Sequence, residues 1–474
     1  MLFSSNIFIF LFLPVTLAGY YILPKPVKNI FLLIMSLVFY AWGEPKFVFA
    51  MMGSIVFNYA MALLVDRFRN NKNLSRIALI ICLAGNIGLL SIFKYLGFIT
   101  ENMIRLGLDI PYIGYALPIG ISFFTFQAMS YAIDVYRGDT TVQKKPHNVG
   151  LYISIFPALI AGPIIRYKDF EPYINNRSVD FEMFSEGVRR FILGLSKKVL
   201  LANNMALIAD QAFAMPDAER SVIYAWLGAI AYTFQIFFDF AGYSDMAIGL
   251  GKMFGFRFLE NFNLPYISKS ISEFWRRWHI SLGRWFRDYV YFSLGGSRVE
   301  RKSRLVFNLF ITWLLTGIWH GASWNFIVWG LMYFVLITFE KLSGYPQKFR
   351  TGLAKSFYRV FTLLCVVGGW VIFRAEGGSA AIGYGLSMLG LSGNPVFSDY
   401  VILTFREYWL FLFFAILFST AYPSKLKTRL GNSDGRILSL VINISFILMY
   451  LFCFLWAVSF IVTSAHNPFI YFNF

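Results

Sequence analysis

Only four histidines occur in the 474 residues, and two of them stand where an imidazole can do chemistry. His320 closes the apolar run LVFNLFITWLLTGIWH, which starts at Leu305, and a second apolar run follows directly after Gly321. Sixteen helical residues at about 1.5 Å each reach only ~24 Å. A straight helix would therefore leave His320 inside a hydrocarbon layer about 30 Å thick. His279 falls on the apolar side of an arginine-rich stretch, where Trp275, Trp278, Leu282, Trp285, Phe286 and Tyr289 recur at helical spacing from Ser270 to Ser293. Desolvation favours the neutral imidazole, which suits a base that accepts a proton near neutral pH. A histidine hydrogen-bonded within a helix bundle is the structural alternative for either position. His147, in a basic loop, and His466, in the C-terminal tail, are incidental on this reading.

A third polar cluster interrupts the apolar segment FQIFFDFAGYSDMAIG. Gln235, Asp239 and Gly242 share one helical face, with Tyr243 beside them. Ionisable groups at membrane depth are functional by default. The Asp239 carboxylate is equally suited to orienting an imidazole and to pairing with an arginine of the aromatic stretch. Just beyond it, NFNLPY (Asn261 to Tyr266) reads as a polar turn stopped by Pro265. No clustered Cys or His at zinc-ligand spacing, no phosphate-binding glycine loop and no serine nucleophile elbow is present, so no metal is expected.

The elements that hold these groups are set by composition. Hydrophobic residues make up 58% of the chain, aromatics 20% and charged residues 14%, against about 25% charged in soluble domains. Mean hydropathy is +0.60. The apolar runs are continuous rather than alternating, which excludes β-barrel spans and leaves helices. Thirteen such runs extend from 5–23 to 437–463. Several are too short for a simple span, so re-entrant or buried helices are expected among them. No cleavable leader is expected, since the first run lacks a basic n-region.

The net charge of +17 is of the kind that also marks nucleic-acid binders. Here the basic residues sit in the connections between apolar runs, so the partner they point to is the lipid bilayer and nucleic acid is not expected. Basic connections at Lys25 and Lys28, Arg67 to Arg76, Lys144 and Lys145, Lys341 to Lys355, and Lys425 to Arg436 put both chain termini outside. The longest stretch without a span, 252–304, is expected to be a cytoplasmic-side amphipathic arm within a single domain covering 1–474. Its part from 269 to 304 holds nine Lys/Arg against three Asp/Glu.

Taken together, the segments FYAWGEPKFV, LPIGISFFTFQAMSYAIDVYRG, FPALIAGPIIRY, FFDFAGYSDMAIG, NFNLPY, FWRRWHISLGRWFRDYVYFSLGG and TGIWHGASWNF resemble the membrane-bound O-acyltransferase (MBOAT) family, most closely its bacterial alginate O-acetyltransferase branch. The resemblance runs almost from end to end. It implies an all-α polytopic membrane protein with the MBOAT fold: a ring of about 11–13 transmembrane or re-entrant helices around a central tunnel, with cytoplasmic amphipathic helices. It implies that His320 is the catalytic histidine and His279 the second site residue. Asp239, Tyr243, Asn263, Trp278, Trp319 and Asn325 would support the site or line the tunnel, and Arg276, Arg277, Arg284 and Arg287 would form the cytoplasmic donor entrance.

The activity so implied is acetyl transfer from a cytoplasmic thioester, acetyl-CoA or a carrier-linked acyl group, towards hydroxyls of a cell-surface polysaccharide. His279 would polarise the thioester carbonyl or align the donor. No covalently bound cofactor is expected. An extracytoplasmic SGNH-like protein would finish the transfer, and an acyl carrier protein is a further partner if the donor is carrier-linked. The location would be the bacterial cytoplasmic membrane. D-alanyl transfer to teichoic acid is the alternative within the family. A proton-coupled transporter, using Asp239, His279 and His320 as a relay, is the alternative of another class.

Overall fold

The computed structural model describes residues 1–431, 436–463 and Ile470. The basic connection around Lys425 to Arg436 falls partly outside these residues, and His466 with most of the C-terminal tail falls wholly outside them.

Among the described residues every regular element is a helix. Nine helices among the described residues are long and apolar enough to cross a membrane, from Lys25–Gly43 to Ile437–Thr463, and Phe8–Ile22 forms a shorter apolar helix. Three further apolar runs, 115–136, 148–165 and 305–320, are not among these nine. The run 115–136 contributes a helix, Ile121–Arg137, that is buried along nearly its whole length. The run 148–165 is broken into Pro146–Ser154 and Phe156–Leu159. Both Pro146 and Pro157 sit in a first helical turn, where proline is tolerated because its missing N–H has no partner to lose.

The chain packs as two compact units: Met1–Phe191 with Ser244–Glu260, and Ile192–Tyr243 with Asn261–Phe474. The first unit holds an aromatic core in which Phe3, Phe8, Phe12, Phe39 and Phe156 meet, with Phe12 and Phe156 rings 5.4 Å apart, edge to face. The second carries both histidines. Its core gathers Trp275, Trp278, Trp313, Trp329, Tyr333 and Trp370, with Trp278 and Trp370 centroids 4.7 Å apart. Aromatic groups of this size dominate packing, and such pairs add about 0.5–1.5 kcal/mol beyond the area they bury.

Two helices of the second unit place His320. Lys302–His320 starts after the basic Arg301 and ends where Gly321 is extended. The next helix, Trp324–Ser343, is capped by Ser323, whose Oγ accepts from Asn325 N, and it ends at Gly344 in the left-handed conformation. The two helices touch backbone to backbone. A Cβ on Gly317 would stand 2.5 Å from the Phe326 carbonyl oxygen, and one on Gly330 would stand 2.6 Å from that of Trp313. Small residues are what allow such approach where lipid offers no hydrophobic drive between helices.

The arm differs from the continuous amphipathic helix that its periodicity suggests. It forms Ile271–Arg277, breaks at Trp278 and His279, resumes as Ile280–Phe286, and continues as a wider π-helical turn over Arg287–Tyr291. The break is a left-handed residue: His279 has φ 43°. Hydrogen bonds made by the chain on either side hold it there, as described next.

Candidate active site

The first helix of the arm is anchored at its start. Ser270 Oγ accepts from Glu273 N at 3.1 Å. The carboxylate of Glu340, from the helix following His320, accepts from Ile271 N and Ser272 N, each at 2.8 Å. Tyr358 also donates its hydroxyl to Glu340, at 3.0 Å. A carboxylate at a helix N-terminus satisfies otherwise unpaired N–H groups and complements the helix dipole. Glu340 is therefore the buried acid that sets where the arm begins, and no motif spacing pointed to it.

The NFNLPY turn clamps the break. Asn263 N donates to the Arg277 carbonyl and Ile280 N to the Asn261 carbonyl, both at 2.9 Å. Leu264 and His279 are the two non-glycine residues with positive φ among the described residues. Both lie at this clamp. Such backbone conformations cost about 1–2 kcal/mol for a residue with a Cβ and persist where surrounding contacts over-determine them.

His279 is 2% exposed. Its Nδ1 lies 3.1 Å from Asn261 Oδ1, which also accepts from Ser281 N at 3.2 Å and Ser281 Oγ at 2.9 Å. A backbone N–H can only donate, so the Asn261 atom facing Ser281 must be the oxygen. That oxygen can only accept, so the proton of a neutral His279 resides on Nδ1. Nε2 then carries a lone pair, and it has no hydrogen-bond partner among the described residues. Burial, and secondarily the neighbouring His320, holds this imidazole well below its ordinary pKa. Phe240 packs edge-on against the ring at 4.6 Å.

His320 is 4% exposed. Its ring is walled by Trp329 at 4.9 Å, Trp319 at 5.0 Å and Phe373 at 5.3 Å. Trp319 borders both imidazoles, with its centroid 6.0 Å from His279. The two histidines, 41 positions apart in the chain, thus face one aromatic group in a buried setting.

A cavity of about 300 Å³ reaches His279. Trp275, Trp278, Phe286 and Trp313 wall it, and Arg276, Arg287 and Lys341 line it as well. Of the four arginines read as an entrance, Arg276 and Arg287 line this cavity. Arg277 instead pairs with Glu273 at 2.9 Å and donates to the Asn263 carbonyl, so it braces the break. Arg284 lies on the second helix of the arm, outside the cavity lining.

Asp239 takes neither of the partners considered from sequence. Its Oδ1 is 2.6 Å from Lys198 Nζ and its Oδ2 accepts from Ile470 N at 3.0 Å. Both side chains of the Lys198 pair are almost fully buried. Lys198 lies on a different helix of the unit, 41 residues upstream, a pairing that helical periodicity within one segment does not reveal. Tyr243, one helical turn on from Asp239, is buried. Asn325 sits at the start of the helix after His320 and donates Nδ2 to the Ala375 carbonyl. Asn263 acts through its backbone. The residue of NFNLPY whose side chain meets an imidazole is Asn261, two positions earlier.

Fold and site together define a polytopic helical membrane protein that keeps two acid–base groups out of water, one of them on a cavity lined by basic side chains. The chain belongs to the membrane-bound O-acyltransferase family. The family model matches residues 145–361, which include Asp239, Asn261, His279 and His320. The chain is 40% identical to a probable alginate O-acetylase of Pseudomonas putida over the whole of both chains. It is 36% identical to a peptidoglycan O-acetyltransferase of Helicobacter pylori, over 83% of this chain and 80% of that one. A teichoic acid D-alanyltransferase of Bacillus subtilis is 31% identical over 47% of this chain and 60% of its own. The protein is a multi-pass membrane O-acyltransferase.

Proposed function

We propose that the protein transfers acetyl from a thioester donor on the cytoplasmic side towards hydroxyls of a cell-surface polysaccharide. The observation that carries this reading is the pair of buried imidazoles sharing Trp319, one of them on a cavity lined by Arg276 and Arg287. The donor is acetyl-CoA or a carrier-linked acyl group, both of which carry phosphate for these arginines to meet. The first acceptor is a sugar hydroxyl, or a hydroxyl on an extracytoplasmic SGNH-like partner that completes the transfer. Both termini face outward on this reading, by the excess of Lys and Arg in the opposite connections.

His320 serves as general base. It accepts the acceptor hydroxyl's proton while that oxygen attacks the thioester carbonyl carbon. The carbon–sulfur bond then breaks, and the resulting imidazolium returns the proton to the leaving thiolate. General base help of this kind contributes about 10² to 10⁴ in rate. His279 aligns the donor through the lone pair on Nε2. Polarising a carbonyl would require a proton on that nitrogen, and the Asn261 contact keeps it on Nδ1. The aromatic walls of both rings exclude water that would hydrolyse the thioester.

Acetyl is preferred to D-alanyl because the likeness to the O-acetylases extends over far more of the chain than the likeness to the D-alanyltransferase. The buried Asp239 is tied to Lys198, which supports a structural role over a proton relay. The test is His320→Ala in cells making the polymer. Acetyl content of the polymer should fall to background while the protein inserts and purifies normally. Wild-type acetylation in that variant would refute the mechanism, and a D-alanyl ester lost in its place would favour the alternative acyl group.

A further inference from the structure

We propose that the first unit holds a phosphate-binding site between the turn Lys25–Val27 and the start of the helix Pro146–Ser154, separate from the acyl-transfer site and independent of that reading. A cavity of about 580 Å³ opens here, lined by Lys25, Lys28, Lys145, His147, Asn148 and Arg177 among others. Among the described residues no Asp or Glu lines it.

The cations are held in place by neutral groups. Arg177 donates Nε to the Tyr20 hydroxyl at 2.9 Å and Nη1 to the Ile174 carbonyl at 2.9 Å, and its guanidinium covers the Phe256 ring at 4.5 Å. Lys28 Nζ lies 4.5 Å from the Tyr20 ring centroid. Aromatic faces and carbonyls orient a cation without cancelling its charge, so the cluster keeps a net positive field within the cavity.

Two further features favour an anion with several acceptor oxygens. The helix Pro146–Ser154 starts at the cavity with no side-chain cap, so its positive dipole end adds to the field. Asn148 is fully buried in the lining. Its Oδ1 accepts from Asn29 at 2.9 Å, whereas its Nδ2 has no hydrogen-bond partner among the described residues. A buried amide N–H left unpaired is a cost that a ligand oxygen removes. His147 adds little charge of its own, since burial and Lys145 lower its pKa. The charge therefore comes from the lysines and Arg177.

Phosphate supplies the tetrahedral oxygens and charge that this donor set fits. Its source is either an anionic lipid headgroup or a soluble phosphate ester. The cavity sits at the Lys25 end of the candidate span Lys25–Gly43, the level at which headgroups meet span ends.

The test uses the purified full-length chain in neutral detergent, titrated by native mass spectrometry with phosphatidylglycerol, phosphatidylcholine and inorganic pyrophosphate. Lys28→Gln with Lys145→Gln should weaken binding of the anionic probe by about tenfold or more, and Lys28→Arg with Lys145→Arg should restore it. Phosphatidylglycerol binding alone identifies the source as a lipid headgroup; pyrophosphate binding identifies a site open to soluble phosphate esters. In wild-type protein the binding should also weaken as ionic strength rises, a readout that needs no variant to fold. Equal binding of the anionic probes by wild type and the glutamine variant, salt-independent binding, or equal retention of phosphatidylcholine and phosphatidylglycerol would each overturn the proposal.

Discussion

Asn261 Oδ1 stands 3.1 Å from His279 Nδ1 while accepting two hydrogen bonds from Ser281. This contact decides which ring nitrogen of His279 keeps a lone pair. It makes Asn261 a positioning residue, acting through His279 rather than on substrate. Asn261→Leu removes the acceptor at similar volume and should lower kcat by about 10²-fold, the scale of a misplaced reacting group. Asn261→Asp keeps the acceptor but adds a negative charge beside the ring, which raises the His279 pKa. Its pH–rate profile should recover most activity at high pH, with the acidic limb displaced to higher pH. Matching profiles for wild type and the aspartate variant would show that the contact does not tune the ring.

His279 also predicts a pH dependence of stability. Its folded-state pKa is lowered by burial and by His320, whereas in the unfolded chain it is about 6.5. As pH falls through that value the unfolded chain takes up a proton that the folded imidazole refuses, so stability declines toward acid. The slope from this group is at most about 1.4 kcal/mol per pH unit. Thermal unfolding in detergent at pH 7.5 and 5.5 should reveal a drop in wild type that is smaller in His279→Gln. Parallel shifts in the two proteins would assign the acid sensitivity to other groups.

Asp239 and Lys198 form a buried ion pair at 2.6 Å. Removing one partner leaves an uncompensated charge out of water, which typically costs about 3–5 kcal/mol. Asp239→Asn should therefore lower the unfolding midpoint sharply, and adding Lys198→Met should restore much of the loss. A midpoint unchanged in the single variant would show that the pair adds little to stability.

Arg276 and Arg287 line the cavity that reaches His279. If that cavity receives the thioester donor, Arg276→Ala with Arg287→Ala should raise KM for the donor by about tenfold or more, with kcat little changed. A fall in kcat at constant KM would place these arginines in the chemical step instead.

Much of this was legible in the residues. Continuous apolar runs separated by basic connections specify membrane helices, because lipid leaves the backbone no other way to satisfy itself. The shortness of the Leu305–His320 run points to a buried imidazole, and His320 is buried. The aromatic periodicity of the arm brought Trp278 and His279 to notice, and both are in the core. That same periodicity hides the break, because a helix of period 3.6 and two short helices joined at one left-handed residue present similar patterns over twenty residues.

The roles of Asp239, Asn261, Glu340 and Arg277 depend on partners from other elements: Lys198, His279, the start of the arm and the Asn263 carbonyl. Composition and periodicity report which side chains avoid water, since that preference belongs to each residue and its neighbours along the helix. By itself the sequence thus determined a helical membrane protein with two ionisable rings out of water. Which nitrogen of His279 keeps its lone pair, which cation neutralises Asp239 and which arginines face the cavity were decided only by tertiary structure, because hydrogen bonds and ion pairs act over about 3 Å between groups that the chain alone leaves far apart.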